Sequence, residues 1–103
     1  RRDTLGRAPD TLAVLTSAPF PAVLARMEKP SQNQMAELFF RSSALKATGS
    51  GSADSAQALG ARVLSQWGIG AQDVAYRDGS GLSRHDYLTP RAVVRVLDAA
   101  HRA

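Results

Sequence analysis

Proline and glycine residues divide this chain into short segments, and that division limits the structures it can form. Pro30 ends one segment, a Gly-Ser-Gly-Ser patch at 49–52 ends a second, and glycines at 68 and 70 end a third. Proline removes a backbone donor and glycine favours turns, so regular elements must fit between these points. The 103 residues are therefore expected to form a single region built from short elements.

Apolar spacing within the segments predicts a mostly helical structure. The clearest helix spans 31–46, where apolar side chains recur at intervals of three and four residues. Shorter helices are predicted over 21–28 and 53–67. A last helix is expected to begin at Pro90 with Thr89 as its N-cap.

Two short stretches predict strands instead. The apolar run 12–15 is consistent with a buried strand, and Val74 and Tyr76 alternate with polar neighbours as strand residues do. Two strands alone would not make a stable sheet, so we expect their partners to lie outside this chain. The predicted fold class is mainly α: a helical cluster with one or two short strands, which indicates a fragment of something larger.

The charge and composition exclude some classes of site. The formal net charge is +4, but eleven of the thirteen cations are arginines scattered along the chain, which is typical of a solvated surface. There is no cysteine, so a disulfide scaffold, a thiolate nucleophile and a cysteine-based zinc site are excluded. No His, Asp or Glu spacing predicts a metal site, and no cofactor is predicted.

The sequence contains no predicted membrane or export segment. No apolar run approaches the ~18 residues that a spanning helix needs. Residues 1–10 form a polar lead-in, and no apolar stretch follows Arg1 and Arg2 as it would in a signal peptide. Either the protein is cytosolic or its targeting segment lies outside this sequence.

Ser31-Gln32-Asn33, directly after Pro30, supports two interpretations. Ser31 with Gln34 three residues later matches a capping box at the start of the long helix. Alternatively, the hydroxyl of Ser31 and the carboxamide of Asn33 point into a cleft, where one relays a proton and the other binds a peptide-like ligand.

A second candidate is the loop Asp78-Gly79-Ser80-Gly81 with the three residues that follow it. Its glycines indicate positive φ angles or a close approach of the backbone to another group. It is either an ordinary turn or a ligand-facing loop. In the second case the planar guanidinium of Arg84 would donate two parallel hydrogen bonds to a carboxylate of the ligand.

Ser43 and Lys46 have the Ser-x-x-Lys spacing, and Lys46-Ala47-Thr48-Gly49 approximates Lys-Thr-Gly. We do not assign a nucleophile here, because one lysine would have to serve both motifs. Both residues also lie at the predicted end of a helix, beside the flexible patch at 49–52, whereas a catalytic pair must be rigidly held.

Two stretches together resemble the serine D-Ala-D-Ala carboxypeptidase/endopeptidase family, the low-molecular-mass class C penicillin-binding proteins. One is Met27-Glu28-Lys29-Pro30-Ser31-Gln32-Asn33-Gln34-Met35-Ala36-Glu37, which contains Ser-x-Asn and then Ala-Glu. The other is Asp78-Gly79-Ser80-Gly81-Leu82-Ser83-Arg84, followed by Leu88-Thr89-Pro90. The resemblance extends from about Leu12 to His101, and it implies that this chain is an internal piece of an α/β penicillin-binding transpeptidase-like domain.

The resemblance implies a serine acyl-enzyme that hydrolyses peptidoglycan stem peptides and is also acylated by β-lactams. Ser31 and Asn33 would be catalytic: Ser31 relays a proton to the leaving group, and Asn33 binds the substrate amide. Gly81, Leu82, Ser83 and Arg84 would contact the substrate, with Arg84 gripping a diaminopimelate carboxylate. The resemblance also implies an extracytoplasmic location, periplasmic or facing the cell wall.

The departures from the family pattern concern its other two motifs. The nucleophilic Ser-x-x-Lys upstream and the Lys-Thr-Gly strand downstream are both missing from residues 1–103, and Gln32 replaces a frequent Asp. This chain alone is therefore predicted to be inactive and to need the remainder of the parent domain. No nucleic-acid partner is predicted.

Two other functions remain open from the sequence. One alternative is a small basic helical binding module without catalysis, and the other is a purely structural helical domain in which Ser31 only caps a helix. A salt titration with labelled DNA distinguishes the first, since phosphate contacts give a steep salt dependence. Substituting Asn33 distinguishes the second.

Overall fold

The computed structural model describes residues 11–102, so the lead-in predicted for residues 1–10 lies outside it. The described part is mainly helical, as predicted, with one short two-stranded sheet. None of its helices is long and apolar enough to cross a membrane. In chain order the elements are α1 (Phe20–Glu28), α2 (Asn33–Thr48), α3 (Ala53–Gln66), β1 (Val74–Ala75), β2 (Tyr87–Leu88) and α4 (Pro90–Arg102).

Local capping explains why the helices begin and end close to the predicted points. Ser52 Oγ accepts a hydrogen bond from Ser55 N at the start of α3. Thr89 Oγ1 accepts from Ala92 N at the start of α4, which confirms the predicted N-cap. Gly49 ends α2 in the left-handed region, where a side chain would cost energy.

The helical cluster is centred on α2, which contacts both α1 and α3. Phe20 of α1 meets Phe39 of α2 edge-to-face, with ring centroids 5.6 Å apart. Ala44 of α2 and Ala56 of α3 are fully buried. Small side chains at such positions let helices approach closely, so α2 is held firmly enough to carry a site.

The sheet pairs two segments of this chain with each other. Val74 lies opposite Leu88 and Ala75 opposite Tyr87 in an antiparallel register. The strand predicted at Val74 therefore has its partner within the chain, and not outside it as expected. This pairing closes a long loop between β1 and β2, and that loop contains the glycines at positions 79 and 81.

The buried strand predicted at 12–15 is not observed. These residues have no regular secondary structure, and Leu12 and Leu15 are 94% and 100% exposed. The apolar pattern is real, but within the described residues nothing packs on it. Burial requires a partner surface, and local sequence cannot say whether the chain itself provides one.

Candidate active site

Ser31 ends helix α1 and does not cap α2. Its backbone N donates to Glu28 O at 3.1 Å, and Gln32 N donates to Met27 O at 2.8 Å. These two bonds form the Schellman pattern, with Ser31 at the left-handed position that glycine usually takes. Its φ is 56°, the one positive φ of a non-glycine residue among those described. The capping-box interpretation of Ser31 is therefore wrong, because the residue belongs to the end of the preceding helix.

Asn33 is the first residue of α2, so the two candidate residues are held by different helices. The N-cap is Gln32, which has an extended backbone and no capping hydrogen bond from its side chain. Asn33 is half-buried and Ser31 is exposed. Residues 29–32 thus separate α1 from α2, and Gln32, the last of them, has an extended backbone.

The glycine loop is organised by the carboxylate of Asp78. Its Oδ1 accepts from Gly81 N at 2.7 Å and from Ser80 Oγ at 3.0 Å. Burial opposes ionisation of this group, but the hydrogen bonds outweigh it and lower the pKa of Asp78 below its usual value. Gly81 has a φ of 73°, which accounts for the glycine there.

The loop lies directly against α2. A Cβ atom on Gly79 would stand 2.8 Å from Ala36 O and would collide with the side chain of Phe40. Gly79 N donates to Glu37 Oε2 at 2.7 Å. This hydrogen bond, and a second one from Arg41, lower the pKa of Glu37. The carboxylate is thus kept ionised and able to accept both bonds.

The Ser-x-Asn turn and the glycine loop face one small cavity of about 180 Å³. The turn forms one side of it and the loop the other. Such a space accommodates a few polar atoms of a ligand, and its walls supply hydroxyl, amide and carboxylate groups. Its lining residues are Met27, Glu28, Ser31, Gln32, Asn33, Ala36, Gly79 and Ser80.

The residues predicted to bind substrate lie further along the loop. Gly81 lines a different, larger cavity, while Leu82 is 71% exposed and Arg84 is also exposed. Ser83 Oγ accepts a hydrogen bond from His85 N at 3.2 Å. Leu82, Ser83 and Arg84 do not line the small cavity beside Ser31. The structure therefore brings together Ser31, Asn33 and the start of the loop, but not its end.

The larger cavity has a volume of about 890 Å³ and a mostly apolar lining from α1, α2, α3 and the sheet. Tyr76 lies on it, and burial raises the pKa of this phenol. Within residues 11–102 no group of three His, Cys, Asp or Glu side chains is placed to hold a metal ion. Asp78 and Asp86 also line this larger cavity, whereas Ser31 and Asn33 line the small one.

A family model described as the D-Ala-D-Ala carboxypeptidase 3 (S13) family matches residues 2–103. The chain belongs to this family. It is 34% identical over 88 residues to the D-alanyl-D-alanine carboxypeptidase DacB of Haemophilus influenzae, covering 84% of this chain and 18% of that protein. It is 33% identical over 94 residues to the D-alanyl-D-alanine carboxypeptidase of Actinomadura sp. strain R39, covering 91% of this chain and 18% of that protein.

No solved structure gives a significant match. The chain spans about 18% of the length of each of these S13 relatives. Membership covers both candidate segments, because the family match includes the Ser-x-Asn turn and the glycine loop.

Sequence reasoning missed three residues that shape the site. Glu28 and Ser80 line the small cavity, and Glu37 holds the loop against α2. The hydrogen bond between Glu37 and Gly79 joins residues 42 positions apart, so no local pattern indicates it. One signal was present: Glu37 lies one helical turn after Asn33 and therefore on the same face of α2.

Proposed function

We propose that this chain forms the Ser-x-Asn section of a serine D-Ala-D-Ala carboxypeptidase or endopeptidase that hydrolyses peptidoglycan stem peptides. In this proposal, residues 1–103 are one continuous region of the penicillin-binding domain. The nucleophilic serine, its lysine and the Lys-Thr-Gly strand are contributed by other parts of the parent polypeptide. The region alone has no hydrolytic activity.

The observation that carries the proposal is the cavity shared by Ser31, Asn33 and the glycine loop. A capping role alone would leave the hydroxyl of Ser31 bonded to the first turn of α2, whereas Ser31 sits at the end of α1 with a strained backbone. Strained non-glycine residues cluster at functional sites. A hydroxyl and a carboxamide beside one opening match what acyl transfer to a serine needs.

The chemistry is a two-step acyl transfer. The serine hydroxyl supplied by the rest of the domain attacks the carbonyl carbon of the D-Ala-D-Ala bond, and its proton passes to the nearby lysine. Ser31 then donates its hydroxyl proton to the nitrogen of the departing D-Ala and takes the lysine's proton in return, so the lysine is neutral again when D-Ala leaves. Water cleaves the resulting ester and frees the serine. A β-lactam follows the first step only as far as a stable acyl-enzyme.

Asn33 binds the substrate and does not exchange protons with it. Its NH₂ group donates to the carbonyl oxygen of the substrate amide, while its own carbonyl oxygen accepts from the lysine and so orients it. Arg84, exposed at the end of the loop, offers its guanidinium to the diaminopimelate carboxylate of the stem peptide. Gly81, Leu82 and Ser83 follow the same side of the substrate. Because peptidoglycan lies outside the cytoplasmic membrane, we propose an extracytoplasmic location for the parent enzyme.

The test is Asn33→Ala in the full-length polypeptide that contains this chain. We expect the rate of acylation by a fluorescent penicillin to fall at least ~100-fold, because a hydrogen-bonding group aimed at the reacting amide is lost. The thermal unfolding midpoint should barely move, since Asn33 makes no capping bond for α2. Release of D-Ala from a stem pentapeptide should fall in parallel.

Gln34→Ala is the matched control, because Gln34 is the next residue of α2, is exposed and does not line the cavity. The Gln34→Ala variant should be acylated by the penicillin at nearly the rate of the unsubstituted protein. Equal losses in both variants, or full acylation with Asn33→Ala, would remove the catalytic role from Asn33. A large drop in the unfolding midpoint with Asn33→Ala would favour a structural role instead.

The nucleic-acid alternative is weakened by the partners of the arginines. Arg41 pairs with Glu37 and Arg102 with Asp98, each one helical turn away. Arg91 pairs with the buried Asp73 at 3.2 Å. Guanidinium groups engaged in this way contribute less to a face that attracts phosphates.

A further inference from the structure

Glu37 joins helix α2 to a loop that lies far away in the sequence. Its Oε2 accepts from Gly79 N at 2.7 Å, and its Oε1 accepts from Arg41 Nε at 2.5 Å. The side chain of Glu37 is 26% exposed, and that of Arg41 is 46% exposed. The carboxylate therefore has one oxygen on the loop backbone and the other on a guanidinium of its own helix.

The position of Glu37 relates the loop to the Ser-x-Asn turn. Glu37 follows Asn33 by four residues, so both side chains leave the same face of α2. Gly79 lies on the wall of the cavity opposite Asn33, and its backbone N–H donates a hydrogen bond to the carboxylate of Glu37. This hydrogen bond thus ties one wall of the cavity to the helix that carries the other wall.

The contact leaves little freedom for the loop. The main chain at Gly79 is so close to α2 that a Cβ there would lie 2.8 Å from Ala36 O. Within the loop, Asp78 holds Gly81 N and Ser80 Oγ, so the whole turn moves as one unit. Whatever fixes Gly79 therefore fixes Ser80 at the cavity as well.

We propose that Glu37 is a positioning residue, whose carboxylate holds the Gly79 main chain against α2 and so fixes the glycine loop relative to Ser31 and Asn33. Its effect on catalysis rests on the proposed function. The hold on the loop does not, and it is tested separately. Glu37 itself does not line the cavity, so it acts through the loop and not on the substrate.

The first experiment measures the hold directly. In the full-length polypeptide, hydrogen–deuterium exchange is followed by mass spectrometry for a peptide that covers residues 78–84. Glu37→Ala should raise its exchange rate about tenfold, because the Gly79 amide loses its acceptor. Glu37→Gln should remain close to the unsubstituted protein, because the carboxamide oxygen still accepts from Gly79 N.

Asp98→Ala is the matched control. Asp98 also pairs with an arginine one turn away on its own helix, but it makes no contact with the loop. It should leave exchange of the loop unchanged. Unchanged exchange with Glu37→Ala, or equal exchange in both alanine variants, overturns the proposal.

The second experiment measures the consequence for chemistry. Glu37→Ala should lower the penicillin acylation rate about 10- to 100-fold, since small displacements of site groups cost that much. Glu37→Gln should recover most of the rate, which a general loss of stability would not allow. Faster loop exchange with an unchanged acylation rate overturns the positioning role. If the Asn33→Ala variant is also acylated at the normal rate, the proposed function is wrong as well. The exchange experiment still decides whether Glu37 holds the loop.

Discussion

Ser31 holds a backbone conformation that glycine adopts more easily than serine. With a φ of 56°, its Cβ crowds its own carbonyl, which costs a non-glycine residue roughly 1–2 kcal/mol. Glycine at this position would end α1 with less strain. Under the proposed function, the Ser31 hydroxyl offsets this strain by relaying a proton at the cavity that Ser31 lines.

Comparison of Ser31→Gly with Ser31→Ala separates these two contributions. Both remove the hydroxyl, but only glycine relieves the left-handed backbone, so Ser31→Gly should be about 1 kcal/mol more stable than Ser31→Ala. Denaturant midpoints of the full-length variants measure this difference. Both should lose penicillin acylation to a similar extent. A glycine variant no more stable than the alanine variant would contradict the strained conformation.

The acid side of the stability profile should reflect Glu37 and Asp78. Both carboxyl pKa values are lowered in the folded chain, from reference values of 4.5 and 3.8. A carboxyl group whose pKa is lower in the folded chain than in the unfolded chain stabilises the fold. This contribution is complete above the pKa of the unfolded chain and is lost as the pH falls through the pKa of the folded chain. The hydrogen bonds that these two carboxylates accept from the loop should therefore stabilise the fold fully at neutral pH, and this stabilisation should decrease below about pH 4.5.

Urea midpoints at about pH 6 and about pH 3 test this acid sensitivity. The midpoint should fall at the lower pH, and it should fall less in the double variant Glu37→Gln/Asp78→Asn, which has no charge to lose at these positions. An equal fall in both proteins would show that other groups account for the acid sensitivity.

At the scale of elements, α3 and the sheet meet through one aromatic side chain. Tyr76, directly after β1, donates its hydroxyl proton to Gln57 O at 2.8 Å and meets Phe40 edge-to-face at 5.8 Å. It lies across Gly60 of α3, where a Cβ would stand 3.0 Å from the ring carbon Cζ and closer still to the hydroxyl. The glycine inside this helix therefore makes room for the tyrosine.

Gly60→Ala should lower stability although alanine favours helices. Alanine is favoured over glycine within a helix by about 1 kcal/mol. Packing its methyl group against the Tyr76 ring, which is held by Gln57 and Phe40, costs about 1–3 kcal/mol. We expect a net loss of about 1 kcal/mol by urea unfolding. In a Tyr76→Phe background the loss should be smaller, because the hydroxyl that collides is gone. Stabilisation by Gly60→Ala in the original background would refute the close approach.

Some elements could be predicted from the sequence because local groups determine them. Thr89 and Pro90 start α4 where expected, since an N-cap needs only its own first turn. The start of α2 was placed at Ser31 and is observed at Asn33, because Ser31 has a competing role at the end of α1. The hold of Glu37 on Gly79 was not predictable, since nothing local links the two residues.

At the scale of the whole molecule, the described residues bury little and expose much. The buried apolar residues among positions 11–102 are Met27, Ala44, Ala56, Ile69 and Ala92, and no large side chain is fully buried. Leu15 is fully exposed, and Leu97 of α4 is 65% exposed. Surfaces of this kind mark contacts with other protein. They support the proposal that the region packs against the remainder of a larger domain.

Leu15→Ser should therefore act differently in two settings. In residues 1–103 alone, the free energy of unfolding should change by less than about 0.5 kcal/mol, as for other surface substitutions. In the full-length polypeptide it should fall by about 2 kcal/mol, because a buried leucine side chain is lost. Urea titrations of both proteins measure this contrast. Equal effects in the two settings would show that Leu15 stays in solvent throughout.

The division of Ser31 and Asn33 between two helices has a consequence for how the enzyme can vary. The edge-to-face contact between Phe20 and Phe39 helps to set the angle between α1 and α2. This angle affects the distance between the Ser31 hydroxyl and the Asn33 carboxamide. If the proposed function holds, substitutions at these rings should therefore alter the rate of acylation by a penicillin, although neither ring lines the small cavity.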